Sequence, residues 1–97
     1  MKIVYSKRAT TDLFAISAFL KPLSPQGAKH VRNAIRATLS QLTKFPRLGT
    51  LQATPGVHKI ITAKYPYLIY YTIDDTAGTI SVVTIRHASQ RREFEDV

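Results

Sequence analysis

The side chains able to do chemistry in this sequence are basic and aromatic, and they gather in its second half. His58 and Lys59 come first, then Tyr65, Tyr67, Tyr70 and Tyr71, then Arg86 and His87, with Arg91 and Arg92 close behind. Adjacent strands that placed them on one face would form a positive surface with stacking platforms, suited to RNA or another polyanion. A histidine or lysine there could move protons, and an arginine could stabilise a pentacoordinate phosphorane, so RNA cleavage without a metal is within the chemistry of the set. Plainer readings stand beside these. Tyr70 and Tyr71 are packing residues, one on each face of a sheet with hydroxyls reaching the rim, and His58 is a half-exposed strand histidine. Arg86 and His87 carry the functional reading best, because the end of a strand reaches solvent without losing rigidity.

Other chemistries are missing at the level of motif. The four glycines are scattered and make no phosphate cradle, no pair of histidines has metal-ligand spacing, and there is no cysteine. Asp74 and Asp75 fall in a turn, and Glu93, Glu95 and Asp96 in the tail, so a two-carboxylate mechanism has poor support. We expect neither cofactor nor metal. The apolar runs are far shorter than the roughly 20 residues that span a bilayer, and M-K-I-V-Y-S-K-R-A-T-T-D lacks the apolar core of a signal peptide. The expectation is a soluble, cytoplasmic protein with no membrane partner. Its formal net charge of +8 is unevenly placed: no Asp or Glu lies between Leu13 and Ile73, where eight Lys and Arg residues do. Such an excess favours a polyanion or an acidic protein as partner.

The elements that must position these groups are legible from periodicity. Lys2–Tyr5 reads as a strand, and Ser6 as the N-cap of a helix whose apolar stripe is Ala9, Leu13, Ile16 and Leu20, widened by Phe14 and Phe19. Asp12 lies near the positive end of that helix dipole, and Pro22 ends the helix. Ser24 followed by Pro25 is a second start signal, for a helix over about 25–43 with an apolar stripe of Ala28, Val31, Ile35, Leu39 and Leu42. Its second stripe, Lys29, Arg32 and Arg36, is basic and reads first as a solvated face. The stretch 47–56 is a loop without structure of its own. Strands follow over 57–62, 67–73 and 79–86, the last two joined by the turn 74–78, and a tail from Ser89 is anchored by Phe94 alone. The expected fold is a single α+β domain over 1–97 in the order β-α-α-β-β-β. An antiparallel helical hairpin packs on a twisted, mostly antiparallel four-stranded sheet, with a short C-terminal tail or helix.

The chain resembles the RelE/ParE superfamily, the toxins of type II toxin–antitoxin modules. The resemblance is carried by I-V-Y-S-K-R-A-T-T-D-L (3–13), P-R-L-G (46–49), P-G-V-H-K (55–59), Y-P-Y-L-I-Y-Y (65–71) and I-R-H-A-S-Q-R-R (85–92), in order and spacing. It implies a growth-inhibiting toxin, associated with plasmid stabilisation and held in a hetero-oligomeric complex by a cognate acidic antitoxin that folds on it. Leu13, Phe14, Phe19, Arg32 and Arg36 are the antitoxin-binding candidates. RelE-like members cut messenger RNA on the ribosome; ParE-like members poison DNA gyrase. Tyr67 stands where RelE-like sequences place an arginine, and Phe94 where they place a late tyrosine. The ending I-R-H-A-S is similar to the ParE-like one, although Ala88 replaces its glycine and His58 an arginine. The resemblance therefore implies a ParE-like gyrase inhibitor without an active site of its own, with an endoribonuclease or a toxin that only binds its antitoxin as alternatives. Its target-contact surface would be His58, Lys59, Tyr67, Arg86, His87, Arg91 and Arg92.

Overall fold

The computed structural model describes residues 1–90. Strand β1 (Lys2–Tyr5) leads into helices α1 (Lys7–Leu23) and α2 (Pro25–Lys44). A 3-10 turn (Pro46–Leu48) follows, then β2 (Thr50–Leu51), β3 (His58–Ile61), β4 (Tyr67–Asp74), β5 (Thr79–His87) and a second 3-10 turn (Ala88–Gln90). The sheet has five strands in the order β1-β5-β4-β3-β2, with β1 parallel to β5 and the other pairs antiparallel. Among the described residues no helix is long and apolar enough to cross a membrane.

Both helices begin where their caps dictate. The Ser6 hydroxyl accepts the Ala9 N–H at 2.9 Å and the Ser24 hydroxyl accepts that of Gly27 at 2.9 Å, each satisfying a donor that has no partner inside the helix. Pro22 does not stop α1, which runs one residue beyond it. In the last turn the ring forfeits one hydrogen bond only, and Ser24 N–H still closes on the Leu20 carbonyl at 2.8 Å. The main core lies between the helices and one sheet face, with Ala9, Val31, Ile35, Leu39 and Leu42 against Tyr67, Ile69, Tyr71, Ile80, Val82 and Ile85. On the opposite face, Leu68 and Tyr70 form a smaller cluster with Val57. The widened helical face departs from expectation: Phe14 is 78% and Phe19 68% exposed, so the buried stripe of α1 is the narrow one.

The fifth strand, β2, comes from the stretch expected to be an irregular loop. It is held from a distance by Tyr71, whose buried hydroxyl donates to the Pro46 carbonyl at 2.8 Å and accepts the Gly49 N–H at 2.9 Å. Only glycine fits at 49, because a Cβ there would stand 2.6 Å from both the Lys59 carbonyl and the Tyr71 hydroxyl. Thr50 and Leu51 then pair with Lys59 and His58.

Burial raises the pKa of Tyr71, with the Gly49 hydrogen bond opposing the shift in part. Its contribution to stability is therefore complete below the unfolded value near 10 and is lost as pH rises through the higher folded value. Tyr71→Phe leaves the Gly49 N–H and Pro46 carbonyl without their partner and should cost about 1–3 kcal/mol in urea unfolding at pH 7. It should also flatten the loss of stability above about pH 10; an unchanged alkaline profile would contradict the assignment.

Candidate functional site

Strand register decides which candidate residues can act together. His58 stands opposite Tyr71 and Lys59 opposite Tyr70, so these sequence neighbours face opposite sides of the sheet. On the other flank of β4, Arg86 stands opposite Leu68 and His87 opposite Tyr67. His58, Tyr67 and His87 therefore belong to the face that carries the helices, and Lys59 and Arg86 to the face of the smaller cluster. The single positive surface that the sequence allowed for is divided in two.

Which of Arg86 and His87 takes which face has a specific cause. Tyr71 pairs with Val82 but Tyr70 pairs with Thr84, so Val83 is an extra residue in β5. Before it the core positions are Ile80 and Val82; after it the core position is Ile85. The bulge inverts the alternation for the rest of the strand. Without it Arg86 would take the helix face and His87 the other.

At the end of β5 a cleft of about 550 Å³ opens between that strand and α1, lined by Asp12, Ile16, Phe19, Tyr67, His87 and neighbours; Arg86, although its position belongs to the opposite face, also borders the cleft where β1 has left the edge of β5 open. Tyr67 is buried, its ring edge-on to that of His87 with centroids 5.4 Å apart. A phenol is neutral at physiological pH at its ordinary value near 10, and desolvation raises that of Tyr67 further. The Nδ1 atom of His87 accepts the Ser89 N–H at 3.2 Å and lies 3.0 Å from the Ser89 hydroxyl. With Nδ1 accepting that N–H, a neutral His87 carries its proton on Nε2, which is then a donor. His58 is stacked on Tyr71 at 5.3 Å, with its Nδ1 buried and unpaired among the described residues, an arrangement that serves packing. Arg91 and Arg92, together with Phe94 and the expected tail helix, lie outside the described residues.

Asp12 is the residue whose role the sequence reading missed. It lies beyond the first turn of α1, and its carboxylate reaches β5 instead of the helix terminus, accepting the Thr84 hydroxyl at 2.5 Å and the Ile85 N–H at 3.0 Å. Its place beside Leu13, on the margin of the apolar stripe, was the available signal that it faces the sheet.

A second cavity, of about 210 Å³, lies on the other flank of α1, between it and α2. Leu13, Ile16, Val31, Ile35 and Leu39 give it an apolar floor, and Arg32 and Arg36, both exposed, stand along the α2 side. The expected antitoxin set is thereby split. Leu13, Arg32 and Arg36 line this groove, Phe19 lines the β5 cleft, and Phe14 projects into solvent. No group of three or more metal-ligating side chains occurs among the described residues.

Comparison with known proteins agrees with this architecture. A family model described as ParE toxin of type II toxin–antitoxin system, parDE, matches residues 3–92. Toxin RelE2 of Caulobacter vibrioides is 30% identical over 89 residues, which is 92% of this chain and 97% of that protein. Among solved structures, a chromosomal ParDE toxin–antitoxin system from P. aeruginosa superposes with a TM-score of 0.75 at 20% identity, over 90% of this chain and 95% of that one. The intact E. coli RelBE toxin–antitoxin complex superposes at 0.69 and 18% identity, over 90% and 95% of the respective chains. At these identities the structural likeness speaks to the fold.

Proposed function

Because the chain belongs to the family of ParE toxins of type II toxin–antitoxin systems, we propose that it is a ParE-like toxin that inhibits DNA gyrase by protein contact and performs no chemistry itself. The observation that carries this reading is the state of the β5 cleft. Where a ribonuclease of the superfamily would place a guanidinium, this chain has the buried, neutral phenol of Tyr67. The histidine beside it presents a donor, and Lys59 is on the far side of the sheet. Phosphodiester cleavage needs a base and a charge stabiliser at one phosphate, about 3 Å from the atoms they serve. A surface with Phe19, Arg86 and His87 around a preformed cleft is better suited to grip a macromolecule.

The partner that silences it is, in this reading, an acidic antitoxin helix lying in the groove between α1 and α2. The apolar floor would receive the i, i+3, i+4 face of such a helix, and Arg32 and Arg36 would meet its carboxylates. The solved relatives are themselves toxin–antitoxin assemblies, which supports a partner of this kind. One observation favours the ribosome-dependent endoribonuclease instead, namely that the 30% identical relative bears a RelE name.

Purified chain added to gyrase, relaxed plasmid and ATP should block supercoiling or accumulate cleaved DNA. Full supercoiling at large molar excess of the chain would overturn the gyrase reading. Reversing charge with Arg32→Glu and Arg36→Glu together should weaken antitoxin binding by about tenfold or more and reduce its salt dependence, read by calorimetry at two ionic strengths. Unchanged affinity would exclude this groove as the acidic partner's seat.

A further inference from the structure

Strand β5 outlives its neighbour. The β1 pairing covers Thr79 to Val82 only, and at Ser6 the chain leaves the sheet to begin α1. Beyond that point the N–H of Ile85 faces the vacated edge, where an unpaired donor would be costly. The start of α1 returns to fill the gap at two places. Ser6, besides capping its own helix, donates its hydroxyl to the Val83 carbonyl at 2.7 Å, at the bulge itself. Six residues on, Asp12 takes the Thr84 hydroxyl and the Ile85 N–H on a single carboxylate oxygen, Oδ2. The next two residues along β5 are Arg86 and His87.

We propose that Asp12 is a positioning residue of the toxic surface: on the edge that β1 has left, it clamps the end of β5 to α1 and so fixes Arg86 and His87 relative to Phe19 across the cleft. This rests on the reading of the β5 cleft as the target-contact surface. The role belongs to the acceptor oxygen and its place, since both donors converge on one atom and an amide oxygen at the same position can receive them. The groove between the helices takes Leu13 and Ser17 from the opposite flank of the same helix, shares only Ile16 with the cleft, and has no contribution from Arg86 or His87. Loss of the clamp should therefore loosen the target surface and leave the antitoxin groove formed.

The test compares Asp12→Ala and Asp12→Asn in the full chain. Leu42→Ala serves as a control for lost stability, because Leu42 is fully buried and lines neither cavity. Growth arrest on induction is scored first, since it does not presuppose the target; gyrase inhibition, antitoxin affinity and amide exchange of Ile85 follow. Asp12→Ala should weaken arrest and inhibition at least tenfold, speed Ile85 exchange at least a hundredfold, and change antitoxin affinity by less than threefold. Asp12→Asn should restore inhibition to within about threefold of the original chain, and Leu42→Ala should retain it. Full potency of Asp12→Ala would overturn the proposal. So would equal failure of Asp12→Asn, which would mean that the carboxylate charge itself meets the target, or loss of antitoxin binding in step with potency, which would make the role merely structural. If the original chain arrests growth but spares gyrase, the gyrase reading falls, and the growth series alone decides the proposal.

Discussion

Past Val82, strand β5 runs on with β4 on one side only, and on the edge that β1 has left the backbone donor at Ile85 is satisfied by a side chain, the carboxylate of Asp12. A buried or half-buried N–H left bare would cost on the order of 1–3 kcal/mol, enough to fray the last residues of a strand in a domain of this size. The same stretch contains the bulge at Val83, which turns Ile85 into the core and sets His87 against Tyr67. The cleft exists because these two features occur together: the bulge chooses which side chains enter it, and Asp12 keeps the strand that bears them close to α1. Helix α1 then has two working flanks, one toward β5 and one toward α2, with Ile16 contributing to both.

The local parts of this design could be read from the sequence. Ser6, Ser24 and Pro25 mark the helix starts, and the stripes through Ala9 and Val31 identify the buried faces, because each signal sits within a few residues of the structure it dictates. The face assignment on β4, with Leu68 and Tyr70 on one side and Ile69 and Tyr71 on the other, was equally legible. What escaped the sequence is held at long range. Strand β2 depends on a hydroxyl contributed by Tyr71, 22 residues beyond Gly49. The tie between Asp12 and Thr84 spans 72 residues. A one-residue bulge in a run of Ile, Val and Thr leaves no mark in composition, yet it decides on which face Arg86 and His87 emerge. The candidate residues were therefore found as a set, while their division between two faces required the register.

Electrostatics complete the picture. The three carboxylates of the described residues are all engaged within the molecule: Asp12 on β5, Asp74 on the Ala77 N–H at 3.0 Å, and Asp75 with Arg47 at 2.7 Å. The positive excess is thus left to the surface, where it steers acidic partners and speeds their encounter. The groove between the helices concentrates that charge along an apolar floor, which suits a partner that folds on contact.

Inhibition by contact, without catalysis, leaves messages whole. Mapping transcript 5′ ends in cells expressing the chain, alongside breaks in their DNA, tests this directly. We predict intact messages and accumulating double-strand breaks. Cuts at a fixed codon position within translated messages would contradict inhibition by contact and make the cleft a catalytic one.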